Sequence, residues 1–293
     1  MKQHDLDPKG NAGVCAKKAS RLSGSWGKDL DQFPRLLDEP SPVEEAFPAL
    51  DATAIHRLAM AEAMVGRLHG AFAGKPFSAE WFMSIEEKRH GKHGVWLPRH
   101  LEFARHEREK VLCLGDCLGT DWVKYAAHGA DVTIATSARF VEPIRMNFKW
   151  RGMNATILTT DSGKISWPDE SADVIAANWI TDDEAPKLWA PEVIRLLKPG
   201  GKILALAKAR WNLRELMRLH WWKPRNIWTR SRLAHLLPTF EEIRVRQRQI
   251  RRSEVPAIIR FIPMPLLERL AGNALVLKAF KPLSVIGGLR TAA

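Results

Sequence analysis

VLCLGDCLGTDWVKYAAHGADVTIAT, Val111 to Thr136, changes its hydrophobic pattern twice, and the two changes set the fold. Val111 to Leu114 is an unbroken apolar run, as expected of a strand buried on both faces of a parallel sheet. The run stops at Gly115. From Gly119 onward Trp122, Val123, Ala126 and Ala127 recur at helical spacing, and Gly129 suits the left-handed residue that ends a helix. Val132 to Ala135 then resumes a strand. Two parallel strands joined by a helix form a right-handed βαβ unit, whose ligand lies beyond the carboxyl ends of the strands. Gly115 and Gly119 should therefore border that ligand. Glycine there lets the backbone approach a bound group, and the N–H groups opening the helix at Thr120 and Asp121 can face an acceptor.

A five-residue G-x-x-x-G span does not identify the ligand, and a plain tight turn is its simplest reading. A dinucleotide fingerprint needs glycine at 115, 117 and 120, whereas this chain has Cys117 and Thr120, which disfavours a nicotinamide cofactor. The downstream pattern adds more. Asn154 to Leu158 reads as a third strand leading to Asp161, Ala172 to Asn178 as a fourth, Glu192 to Leu197 as a helix, and Lys198 to Ala207 as a turn into a fifth strand. Glu242 to Arg252 reads as a sixth, in which Ile243 and Val245 alternate with Arg244, Arg246 and Arg248. Arginines on one face of such a strand shield a sheet edge, and they could also hold a phosphate. Leu266 to Leu270 suggests a short helix, and Ala274 to Phe280 a last strand.

Taken in order, these segments resemble the class I S-adenosylmethionine-dependent methyltransferases, in particular the bacterial type 11-like members. The first motif is Gly115-Asp116-Cys117-Leu118-Gly119-Thr120-Asp121. Asp161, Trp167-Pro168-Asp169-Glu170 and Ala172-Asp173-Val174 follow, and Arg195 to Gly201 gives the family's R-L-L-K-P-G-G turn. The resemblance covers roughly Glu87 to Pro282. It implies an α/β fold: a Rossmann-like seven-stranded sheet with helices on both faces, preceded by an N-terminal helical extension. It implies S-adenosylmethionine as cofactor, with Gly115, Asp116, Cys117 and Gly119 around its methionine end, Thr136 and Ser137 at the ribose, Asp161 and Ser162 at the adenine, and Asp121 among the cofactor-binding residues. Glu86 to Arg105 resembles the segment in which an Arg-aromatic pair closes over the cofactor. Arg89 and His90 hold those positions, with His for the aromatic.

Two departures stand in the same motifs. Cys117 replaces the middle glycine, and Thr136, followed by Ser137, replaces the acidic residue that takes both ribose hydroxyls. Losing that bidentate acceptor would weaken cofactor binding by ~1.5 to 3 kcal/mol. The resemblance implies methyl transfer to a small-molecule or a lipid- or sugar-linked acceptor. The departures motivate an alternative, a catalytically inactive methyltransferase-like binding or partner module. Methyl transfer asks mainly that the nucleophile be held close to the methyl group, so no catalytic triad or metal is implied. Asn178 is either a substrate-facing group or a turn cap. Asp182, Asp183 and Glu184 are either a solvated acidic loop or the source of a general base, with Asp182 the candidate. His90, His93 and His100 lack the partner ligands of a metal site.

The chain has 293 residues, a formal charge of +12 and 45% hydrophobic residues, enough to bury one large core. The expected organisation is a loosely docked, proline-containing arm over 1–50, a helical extension over 51–105 and the methyltransferase-like domain over 106–285. Asp51 is expected to cap a helix with Ile55, Leu58, Ala61, Val65 and Leu68 on one face, and Ser78 another with Trp81, Phe82 and Ile85. Cys15, Cys113 and Cys117 form neither a disulfide framework nor a zinc set. That usage, with no signal-like or membrane-spanning apolar run, leads to the expectation of a reducing, cytoplasmic setting.

The positive charge is concentrated late. From Gly201 to Ile262 there are 15 Lys and Arg against 4 Glu. Within 208–232, Lys208, Arg210, Arg214, Arg218, Lys223, Arg225, Arg230 and Arg232 interleave with Trp211, Trp221, Trp222 and Trp228. A solvated helix packed on the sheet, an element touching anionic lipid, and a contact with RNA or another polyanion through 208–252 all remain open. RNA methylation rests on that basic patch alone.

Overall fold

The structure, a computed structural model, describes residues 52–66, 69–160, 164–180, 182, 184–209 and 228–283. The βαβ unit is built as its pattern requires. Strand β1 (Lys110–Leu114) pairs in parallel with β2 (Asp131–Thr136) on one side and with β4 (Ala172–Trp179) on the other. Strand β3 (Thr156–Thr159) extends the sheet beyond β2, and β5 (Leu197–Lys208) extends it beyond β4, both in parallel. Then β7 (Ala274–Phe280) runs antiparallel to β5, and β6 (Glu241–Arg248) antiparallel to β7, giving the order β3-β2-β1-β4-β5-β7-β6. The order reverses between β1 and β4, the switch point at which open α/β sheets place their ligands.

Side chains of β1 alternate between two cores. Leu112 and Leu114 pack with Ile175, Ala177 and Trp179 of β4 and with Trp189, Val193 and Leu196. The last three lie on helix α6 (Ala185–Leu196). Val111 and Cys113 face the opposite side, against Trp122 and Tyr125 of α4 (Thr120–Ala127) and Ile144 and Phe148 of α5 (Ala138–Lys149). Helices therefore cover both faces, which is why β1 carries no alternation. Gly129, at φ +79°, stops α4 as expected.

The helical extension comprises α1 (Ala52–Glu62), α2 (Ala79–His90) and α3 (Leu97–Leu101). Ser78 caps α2, its hydroxyl accepting from Trp81 N at 3.3 Å, and Trp81, Phe82 and Ile85 are buried. Helix α1 is shorter than its stripe suggested. It ends at Glu62, before Val65, and Met64 takes a left-handed φ of +54°. Asp51 and Leu68 lie outside the described residues, as do residues 1–50 and 210–227. Helix α6 starts seven residues earlier than Glu192, because Pro186 opens it and Pro191 is accommodated inside it. Strand β6 ends at Arg248 and forms a sheet edge, with Arg244 and Arg246 exposed and Ile243 and Val245 half-buried. Helices α7 (Arg230–Ala234) and α8 (Met264–Ala271) complete the C-terminal part.

Candidate functional site

The turn from β1 into α4 sits at the switch point. Gly115 has φ +130°, and a Cβ there would stand 2.2 Å from the carbonyl oxygen of Asn178 at the end of β4. Glycine is demanded by this approach of two strand ends. Gly119 has φ +75° and caps α4 with no side chain to satisfy the helix start.

That start is satisfied from elsewhere in the chain. The buried Glu62 carboxylate, at the last residue of α1, accepts from Thr120 N at 3.0 Å and Leu118 N at 3.3 Å. Gly119 N donates to Cys117 Sγ at 3.4 Å, and Asn147 Nδ2 donates to Leu118 O at 2.7 Å. Burial pushes the Cys117 thiol far up, with the Glu62 charge adding to it, so this sulfur is a packed thiol. Thr120 Oγ is buried at the same helix start, and Trp179 Nε1 is buried at the end of β4; both lack a hydrogen-bond partner among the described residues.

Arg89 is buried and fully engaged. Its Nε donates to Asp121 Oδ1 at 2.6 Å, its Nη2 to Asp121 Oδ2, and its Nη1 to the Glu62 carbonyl. His90 Nε2 lies 3.3 Å from Asp121 Oδ1. Burial raises the Asp121 carboxyl, but the Arg89 charge and hydrogen bonds, joined by His90, outweigh it and hold the group well below the carboxylate range. Arg89, Asp121 and Glu62 thus lock the helical extension onto the glycine turn.

From the turn after β1, the Asp116 carboxylate reaches across to the end of β2. Its Oδ1 accepts from Thr136 Oγ1 at 3.0 Å and Ser137 N at 2.9 Å, and its Oδ2 from Ser137 Oγ at 2.8 Å and Arg139 Nη2 at 3.0 Å. Burial raises its pKa, and the donors from Ser137, Arg139 and Thr136 bring it below the ordinary value. Gly115, Asp116, Cys117, Gly119, Asp121, Thr136, Ser137 and Arg89 are therefore gathered around one turn. Asn178 Oδ1 accepts from Ile180 N at 3.3 Å, a turn cap, and Asp182 Oδ1 accepts from Glu184 N at 2.9 Å just before α6. Asp161, Ser162 and Asp183 lie outside the described residues.

Sequence reasoning missed Glu62. The signal was a carboxylate on the same side of α1 as Ile55 and Ala59, an apolar stripe that a solvated glutamate would avoid. It also missed Glu102, whose carboxylate accepts from Lys202 Nζ at 2.6 Å on β5 and Lys278 Nζ at 2.5 Å on β7. Burial alone would raise that group, and the two lysines pull it down to about 2. Among the described residues, no group of three or more His, Cys, Asp and Glu stands where it could hold a metal ion, and no helix is long and apolar enough to cross a membrane.

No family model matches the chain, and no curated protein matches it. Solved structures do. A S-adenosylmethionine-dependent methyltransferase from Aquifex aeolicus aligns over 68% of this chain and 96% of its own, with 15% identity and a TM-score of 0.48. Another from Archaeoglobus fulgidus aligns over 69% and 100%, with 15% identity and 0.47. A phosphoethanolamine N-methyltransferase from Haemonchus contortus, solved with S-adenosyl-L-methionine, aligns over 67% and 56%, with 13% identity and 0.47. The order β3-β2-β1-β4-β5-β7-β6, with β7 alone inserted antiparallel beside the parallel strands and β6 closing the edge, gives this chain the Rossmann-like fold of the class I methyltransferases.

Proposed function

We propose that the protein binds S-adenosylmethionine at the carboxyl ends of β1, β2 and β4 and transfers its methyl group to a small-molecule or lipid- or sugar-linked acceptor. One observation carries this reading: the loop entering α4 already holds a carboxylate, that of Glu62, on the N–H groups of Leu118 and, at the first helical residue, Thr120. The station is suited in charge and geometry to the carboxylate of an amino-acid-bearing cofactor. The Thr120 hydroxyl, without a hydrogen-bond partner among the described residues, offers one more polar contact beside it. Asp116 and Ser137, at the end of β2, form the polar group nearest in kind to a ribose-binding pair.

In this reading Glu62 gives up the two N–H groups when the cofactor enters, while Arg89 and Asp121 keep the turn in place. The cofactor brings a sulfonium-bound methyl group that a nucleophile can displace in line. The protein's own contribution is placement and exclusion of water, with Asn178 and Asp182 the residues offered to the acceptor side. A thermal-shift titration tests it. A saturable rise in unfolding temperature with S-adenosylmethionine is expected, and none at millimolar cofactor removes the proposal.

A second reading has its own support. Glu62, Cys117, Arg89, Thr136 and Ser137 all have internal partners, as expected of a methyltransferase fold retained as a binding or partner module. Methyl transfer to any acceptor contradicts it. RNA methylation is a lesser variant, removed if the protein fails to bind RNA at low salt.

A further inference from the structure

The segment that joins β6 to β7 is apolar on two sides. Inwardly, Ile259, Ile262, Met264 and Ala271 pack around Ile250, Val255 and Leu267 in a small satellite core. Outwardly, Ile258 and Phe261 are 81% and 82% exposed, and Leu266 and Leu270, one helical turn apart on α8, are 47% and 61% exposed. Isolated surface leucines need no explanation, but four large apolar side chains within thirteen residues, standing over an inner apolar face, form a second surface to bury. The pieces are short. The three-residue helical turn Ala257–Ile259 stops short of α8, which starts at an N-cap Pro263 with Pro265 in its first turn, so the segment can lie along an interface and cannot cross one.

Its rim is cationic. Arg252, Arg260 and Arg269 are exposed within the segment, and Arg246 is exposed on the preceding edge strand, where Arg244 pairs with Glu242 at 2.9 Å. Against four arginines (Arg251, Arg252, Arg260 and Arg269) the segment carries two acids, Glu254 and Glu268, and Glu268 is paired with Arg248 at 3.3 Å. We infer that this face docks on the surface of an anionic phospholipid bilayer, with Ile258 and Phe261 entering the acyl boundary and the arginines on the lipid phosphates.

Charge decides between the occupants. In a twofold dimer the same patch meets itself, so the arginine rim would face its own copy, whereas an anionic surface complements it. Apolar insertion and a basic rim are also the two signals that peripheral membrane binding combines. The inference stands independently of methyl transfer.

The test is co-sedimentation of the full-length protein with vesicles of phosphatidylcholine, with and without phosphatidylglycerol. Binding to the anionic vesicles, weakened by salt, is expected. The double variant Ile258→Asn/Phe261→Asp should lower the partition coefficient by about ten-fold or more, because two large side chains no longer insert. The variant Arg252→Gln/Arg260→Gln/Arg269→Gln should lower it by roughly five-fold per arginine on anionic vesicles and leave the weak neutral-vesicle binding unchanged. Ile258 and Phe261 are exposed, so the double variant should unfold at the wild-type temperature, while the arginine variant also loses the Arg260 Nε bond to Val255 O at 2.9 Å and should unfold slightly lower. Absence of binding to anionic vesicles, variants that bind as wild type does, or a dimer in sedimentation velocity that Ile258→Asn/Phe261→Asp dissociates would each overturn the inference.

Discussion

Glu62→Gln separates the two effects that this carboxylate has on the glycine turn. Glu62 accepts from Leu118 N and Thr120 N in a buried setting. Hydrogen bonds to a charged acceptor contribute about 1.5 to 3 kcal/mol, and the amide keeps one acceptor oxygen while turning its own N–H₂ toward the second donor. The variant should therefore be less stable by about that amount, a fall of roughly 3 to 12 °C in unfolding temperature for a domain of this size. On the ligand the sign reverses. A cofactor carboxylate must displace Glu62, so the apparent affinity of the wild type is reduced by the fraction of molecules in which the N–H pair is free. Removing a competitor worth 1.5 to 3 kcal/mol should tighten S-adenosylmethionine binding by about 10- to 150-fold in a calorimetric titration. A variant that keeps its circular dichroism and unfolds cooperatively, yet binds the cofactor no more tightly than wild type, would show that Glu62 and the cofactor do not compete for these N–H groups.

Further expectations concern the same scaffold. Gly115→Ala places a Cβ 2.2 Å from the Asn178 carbonyl at a φ of +130°, and should cost about 3 kcal/mol or more of stability by denaturant titration; a change below ~1 kcal/mol would mean that the strand ends are not in contact. Arg89→Leu leaves Asp121 buried without its bidentate cation and the Glu62 carbonyl without its donor, and should cost about 3 to 5 kcal/mol, while Arg89→Lys should rescue only part, since it lacks the planar fork; full rescue by lysine argues against the bidentate pair. Stability should fall with acid in two stages. Burial, with nearby arginines and Lys202, lowers His100 and His106 from 6.5, so their neutral forms favour the folded state and that contribution is lost as pH drops below about 6.5. Glu102, held down to about 2, then adds a loss between about 4.5 and 2, joined by Asp116 and Asp121. Chemical-denaturation midpoints across pH 3 to 8 measure both stages, and a flat profile contradicts them.

The parallel core was legible because burial on both faces leaves a mark in the letters. Val111 to Leu114 has no alternation, and it is the strand that two cores share. The same holds for Ala274 to Phe280, whose limits match β7 residue for residue. Element ends were less legible where local rules conflict with tertiary packing. Pro191 reads as a helix breaker yet sits inside α6, and the apolar stripe of α1 runs past Glu62 although Met64 turns left-handed. The site was legible as a place and not as a network. The G-x-x-x-G span located the turn, but Glu62 reaches it from more than fifty positions upstream and Asp116 bonds across to Ser137. No local pattern encodes such pairings, because they arise only once helix and strand are packed.

Whether the turn between β1 and α4 is a carboxylate station for a nucleoside cofactor can be seen in a crystal structure of the protein grown with S-adenosylmethionine. The cofactor's carboxylate is expected within hydrogen-bond distance of Leu118 N and Thr120 N, with the Glu62 side chain turned away and Arg89 still on Asp121. A structure in which Glu62 keeps both N–H groups and no cofactor lies at the ends of β1 and β4 would contradict it.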